Sequence, residues 1–183
     1  MKWIFLITGM LFIQLQAQNV SLNIIENTVK VNNDTISFKF IVKNNDTTTL
    51  VFYNLDDAEL GASFLDTDTL SKTRIPGLFV NIMNKMNKLP SKMSGKLVGK
   101  IIINDKYNQS HIIKPYESKE YNVVIDYTPI YLKKRTYKLQ LKYYSNDYYK
   151  KDFEKMKNLD AEMKNYILYK GIIKSNIVSI RIN

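Results

Sequence analysis

The chain has 183 residues, a formal net charge of +10 and no cysteine. The missing cysteine excludes disulfides, thiolate metal centres, a cysteine nucleophile and lipid attachment at a cysteine behind a leader. Its positive charge is nearly all lysine, with Arg74, Arg135 and Arg181 as the arginines, and a surface poor in arginine's planar fork is unsuited to reading bases, so no nucleic-acid partner is expected.

The first element, "MKWIFLITGMLFIQLQA", sets one charge at Lys2 before an apolar run from Trp3 to Ile13 and a small residue at Ala17. This is the pattern of a secretory signal peptide. The run falls short of the roughly 20 apolar residues that span a bilayer. Residues 1–17 are therefore expected to be a signal peptide and residues 18–183 a single exported domain, periplasmic or secreted to the cell surface, with no transmembrane segment after cleavage.

Strand signals follow. "VSLNIIENTVKV" reads as an edge strand broken near Glu26 and Asn27. "TISFKFIVK" puts Ile36, Phe38, Phe40 and Val42 on one face and Ser37, Lys39 and Lys43 on the other, with Ile41 interrupting the polar face. That is the period of two of a half-buried strand. "NNDTT" supplies turn residues, and "TLVFYNL" starts another strand. Residues 56–100 are the least regular part, with one strand at "LFVNIMN"; further strands are expected at Leu97 to Ile103 and at His111 to Ile113. "ESKEYNVVIDY" alternates through Tyr121, Val123, Ile125 and Tyr127, "TYKLQLKYY" through Tyr137, Leu139, Leu141 and Tyr143, and "SNIVSIRIN" reads as a last strand.

Between the last two strands the period changes. From Tyr149, the residues Phe153, Met156, Leu159, Met163 and Ile167 fall in one stripe at about 100° per residue, which predicts a helix lying on the sheets. Lys150, Lys151, Glu154 and Lys157 lie largely opposite; Asp147 is the expected N-cap, and Asp160 with Lys164 has the spacing of an ion pair along a helix. Short strands, many turns and one helix predict an all-β sandwich.

The segments "KPYESKEYNVVIDY", "RTYKLQLKYY" and "GIIKSNIVSIRI" resemble the E, F and G strands of exported bacterial immunoglobulin-like domains, and "ISFKFIVKNND" is similar to their B strand and its turn. The resemblance implies an immunoglobulin-like antiparallel β-sandwich with one helix inserted between the last two strands. It places Tyr137 and Leu139 where that family carries its tyrosine corner and a core position. The Cys, Trp, Cys signature of antibody domains is missing here, so the resemblance implies a fold and not a ligand.

Catalytic signals are sparse. His111 is the lone histidine, and its place at a strand start reads as a surface or edge residue rather than a catalyst. "GKLVGK" fails as a phosphate loop in its glycine spacing and in Ile101, which stands where Ser or Thr would be required. Asp66 and Asp68, with Asp56, Asp57 and Glu59 nearby, offer part of a calcium ligand set or the carboxylates of a hydrolase; a solvated acidic loop is the simpler account. Asp34-Thr35-Ile36, Asp46-Thr47-Thr48 and Asp68-Thr69-Leu70 resemble the short acceptor of a bacterial periplasmic O-glycosylation system. No catalytic residue, metal or cofactor is expected.

In "YYSNDYYKKDFEKM", Tyr144 and Tyr148 fall outside both the strand stripe and the helix stripe. They are the expected ligand-binding residues, an exposed stacking platform for a sugar ring or a protein. The expected function is a non-catalytic binding or scaffold module of the cell envelope whose partner is an envelope protein or glycan. The alternatives are a glycan-binding accessory protein and a carboxylate-based hydrolase using Asp66, Asp68 or Glu59.

Overall fold

The computed structural model describes residues 19–32, 35–55, 58–60, 77–83, 110–126 and 136–182. The leader, the strand expected at 97–103 and the carboxylates Asp56, Asp57, Asp66 and Asp68 lie outside them. The described residues form β-strands with a single α-helix, and most strand pairs are antiparallel.

The strands are β1 (Val20–Ile24), β2 (Thr28–Asn32), β3 (Thr35–Asn44), β4 (Leu50–Tyr53), β5 (Ala58–Leu60), β6 (Gly77–Met83), β7 (Ser110–Ile113), β8 (Ser118–Asp126) and β9 (Thr136–Ser145). Helix α1 (Lys150–Leu159) and a 3₁₀ turn (Ala161–Asn165) follow, then β10 (Ile167–Leu168), β11 (Gly171–Lys174) and β12 (Val178–Arg181).

The first strand breaks where the sequence predicts. β1 pairs antiparallel with β3, ending at Ile24 opposite Phe40. The carboxylate of Glu26 then accepts the Lys39 N–H at 3.0 and 3.1 Å, taking over from the strand ladder. Past the break, β2 pairs parallel with β12 through residues 28–30 and antiparallel with β3 through Val31 and Asn32. It therefore joins two groups of strands: β1, β3 and β8 on one side, and β12, β9, β6, β5 and β11 on the other.

Both groups point alternate side chains into one core. Ile36, Phe38, Phe40 and Val42 of β3 meet Tyr137, Leu139, Leu141 and Tyr143 of β9, as the period of two requires. Burial of each such side chain contributes about 1.5–3 kcal/mol. Where Asn176 ends one bulge, the seam between the groups is closed. Lys174 opposes Lys142 and Val178 opposes Leu139, so one extra residue sits between β11 and β12 relative to β9. In that bulge the Ser175 hydroxyl accepts the Leu141 N–H at 2.9 Å. Asn176 is thrown outward, where its amide accepts the Ile24 N–H at 2.7 Å and donates to the Ile24 carbonyl at 3.1 Å.

The antiparallel pair β3 and β8 continues, beyond a bend, as the pair β4 and β7. Asn44 holds the bend. Its buried side-chain amide donates to the carbonyls of Thr48 (2.7 Å), Ile113 and Lys114 (3.1 Å each) and accepts the Asp46 N–H at 2.9 Å. Beyond it, β4 lies between β7 and β10 in a separate three-stranded sheet. Leu50 and Phe52 face the main core, whereas Val51 and Tyr53 face a second cluster with Phe153 of α1, Met163 and Leu168. The helix thus docks on this small sheet.

Three sequence expectations are corrected. The helix begins after Tyr149, not Asp147, and stops at Asp160, whose extended backbone (φ −124°, ψ 115°) starts the 3₁₀ turn with its carboxylate accepting the Glu162 N–H at 2.9 Å. The stripe loses its phase there, leaving Leu159 88% exposed and Ile167 on the surface. His111 is buried rather than superficial, because the pairing of β7 with β4 sets it opposite Phe52 and turns it inward, edge-on to the Tyr121 ring at 5.6 Å. Tyr144 is also buried, as the next section describes.

Candidate ligand-binding surface

The "YYSNDYY" stretch leaves β9 and enters α1. Alternation along β9 sends Tyr143 into the core and Tyr144 to the opposite face. That face is not open: Phe79, Lys142 and Tyr144 are all buried on it, Tyr144 at 2% exposure and directly across from Gly77. The expected pair therefore separates. Tyr144 is a packed residue, while Tyr148 keeps 49% of its surface in solvent.

A side chain still links them. The amide of Asn146 donates to the Tyr144 hydroxyl at 3.2 Å, and its oxygen accepts the Tyr148 N–H at 2.8 Å. The buried tyrosine thus anchors the backbone that presents the exposed one. This local side-chain to backbone bond is what Asn supplies ahead of a helix. Asp147, three residues before the helix start, forms an ion pair with Lys170 rather than a side-chain cap.

Rings brace Tyr148 from beneath. Tyr149 meets it edge-on, with centroids 4.9 Å apart and planes at 75°, and Tyr149 lies flat on Tyr53 at 4.5 Å and 13°. Such pairs add about 0.5–1.5 kcal/mol each beyond the area they bury. Asn54, at the end of β4, donates from its side-chain amide to the Tyr149 hydroxyl at 2.9 Å. It does so from the left-handed region, φ 55°, which Asn tolerates better than most residues. Burial raises the Tyr53 phenol pKa to about 12, assisted by the Asp152 carboxylate and Tyr149, so this hydroxyl is a neutral group at any physiological pH.

The result is one exposed aromatic ring held on a fixed support. It can stack on a flat apolar surface and offer a hydroxyl at its rim. Among the described residues no three His, Asp or Glu side chains come together as metal ligands. Asp66 and Asp68 fall outside the described residues, and for Glu59 only the backbone of β5 is described, so the calcium and hydrolase readings have no geometry here. No described helix is long and apolar enough to cross a membrane.

Sequence reasoning anticipated the exposure of Tyr148 but missed its support, Asn54, Tyr53 and Asn146. The spacing of Asn146 between two tyrosine pairs was a local signal. Stacking of Tyr53 under Tyr149 joins residues 96 positions apart and leaves no local trace. No protein-family model matches the chain, and no curated protein sequence does.

Proposed function

We propose that this protein is a non-catalytic, exported binding or scaffold module of the cell envelope that contacts an envelope protein or glycan through Tyr148. The observation that carries the reading is the rigid presentation of that ring: half exposed, yet fixed by Asn146 at its backbone and by Tyr149 at its edge. An aromatic anchor that is already ordered loses little entropy on binding, which is how a single tyrosine becomes a strong contact.

An immunoglobulin-like sandwich is the scaffold we assign to it. Support comes from the strand pairing, in which the first strand is split, its first half antiparallel to β3 and its second half parallel to β12. In that reading β3 and β8 serve as strands B and E, and β6, β9 and β12 as C, F and G. Export rests on the leader pattern of residues 1–17.

The test uses the full chain, tagged at its end, to capture cross-linked partners from intact envelopes and to probe a glycan array. Tyr148→Ala should lower binding about 30-fold, the loss of a hot-spot side chain worth about 2 kcal/mol, while the lost ring pair with Tyr149 lowers Tm by only a few degrees and leaves the chain folded. Tyr148→Phe should retain most of it. Binding by Tyr148→Ala equal to the parent would overturn the proposed surface.

A further inference from the structure

Of the three Asp-Thr tripeptides, Thr69 lies outside the described residues and the other two are presented differently. Thr35 opens β3 and is hemmed in on both sides, by Asn32 of β2 and by Asp126 of β8, with the wholly buried Ile36 next in line. A transferase cannot draw that segment into an active site without taking apart the centre of a sheet. Thr47 stands exposed on the bend between β3 and β4, in a turn that belongs to no strand ladder. Folded proteins are modified at such places, because the backbone there is accessible and carries few structural bonds.

The local chemistry favours the hydroxyl. Asp46 Oδ1 accepts the Thr47 N–H at 2.6 Å and the Thr47 hydroxyl at 3.3 Å, so the proton is directed toward the carboxylate and the oxygen lone pairs are left facing outward. The turn is kept in shape from below by Asn44, which bonds the Asp46 N–H and the Thr48 carbonyl and needs nothing from the Thr47 side chain. Asn45, which with Asp46 and Thr47 also spells an N-x-Thr acceptor, is less available. Its N–H is bonded to the Asn19 carbonyl at 2.8 Å, and its side-chain amide points to Ser21 at 3.5 Å.

We infer that Thr47 is an O-glycosylation site, modified by a sugar from a phosphate-activated glycosyl donor; the inference rests on the export reading, since the transferase is placed outside the cytoplasm. Thr47 Oγ1 forms a bond to the anomeric carbon while that carbon's bond to the donor phosphate breaks. The hydroxyl proton passes to the transferase's base, and the phosphate leaves with the bonding pair. Asp46 serves as the recognised neighbour that orients the acceptor.

The experiment isolates the full chain from the envelope of its natural host and maps its peptides by mass spectrometry with fragmentation that retains sugars. The peptide containing Thr47 should carry added hexose mass placed on Thr47. Mild alkali should release it by β-elimination, Thr47→Val should abolish it, and Asp46→Asn should lower its occupancy at least tenfold. A leader-cleaved chain with this peptide at its unmodified mass, or with alkali-resistant mass on Asn45, overturns the inference and leaves export standing. A chain that keeps its leader and lacks the modification overturns both.

Discussion

The hydroxyl of Tyr143 bonds to both backbone polar groups of Tyr53, donating to the carbonyl at 2.9 Å and accepting the amide N–H at 3.1 Å. One fully buried phenol therefore stands in for a missing neighbour strand at the end of β4. It also joins the main core to the small sheet on which α1 rests, since the Tyr143 ring packs edge-on to Phe52 at 5.5 Å while Tyr53 faces the helix.

Tyr143→Phe keeps the ring and removes the two bonds, stranding a buried N–H and a buried carbonyl. Each such orphan costs about 1–3 kcal/mol, so the variant should be destabilised by about 2–4 kcal/mol. Urea unfolding should show a lower midpoint at unchanged slope. A midpoint equal to the parent's would mean that water or a neighbour satisfies Tyr53 without the phenol.

Alkaline pH should unfold this protein cooperatively. Burial raises the pKa of Tyr169 from 10.0 to about 12, burial above all raises that of Tyr53 to about 12, and complete burial carries Tyr143 higher still. A phenol whose pKa is raised by folding holds its proton in the native state after the unfolded chain has lost it. Its contribution to stability is thus intact below pH 10 and is lost as pH climbs from 10 toward 12. Each buried phenol contributes a slope of about 1.4 kcal/mol per pH unit in that window. Phenolate absorbance should rise in a step that coincides with loss of the circular-dichroism signal. Gradual titration of all 13 tyrosines near pH 10, with the fold intact, would contradict it.

Tyr116 carries a cost that glycine would remove. Glu117 N–H bonds to the Lys114 carbonyl at 3.1 Å, closing a turn with Pro115 second and Tyr116 third, and Tyr116 has φ 60°. This is the type II pattern, whose third position favours glycine. The left-handed conformation costs a side-chain-bearing residue roughly 1–2 kcal/mol, partly offset by glycine's larger unfolded entropy. With its ring 65% exposed, Tyr116 has little packing to lose. Tyr116→Gly should therefore raise Tm by about 2–4 °C. An unchanged or lower Tm would show that the ring contributes to the fold after all.

What the sequence made legible was local. The alternation of Ile36, Phe38, Phe40 and Val42 announced β3 and its buried face, and the polar pair Glu26-Asn27 marked the break between β1 and β2. The start of α1 was legible from its stripe. Its end was not, because Asp160 breaks the helix with no glycine or proline to signal it. Tyr144 and His111 were misplaced for one shared reason. A strand's period says that two faces differ but not how many are covered, and both residues lie on faces that are buried in the fold. Of the candidate site, the exposure of Tyr148 was legible, by exclusion from both stripes, and the brace beneath it not at all.

Asn176 and Ile24 are 152 positions apart, and the parallel pairing of β12 with β2 spans a similar stretch of chain. β12, the last strand in chain order among the described residues, is nevertheless an interior one, flanked by β2 and β9. Assembly therefore cannot run from one end to the other. Until the final segment arrives, β2 has an open flank, and pairing of such long range slows folding and leaves strand edges exposed meanwhile.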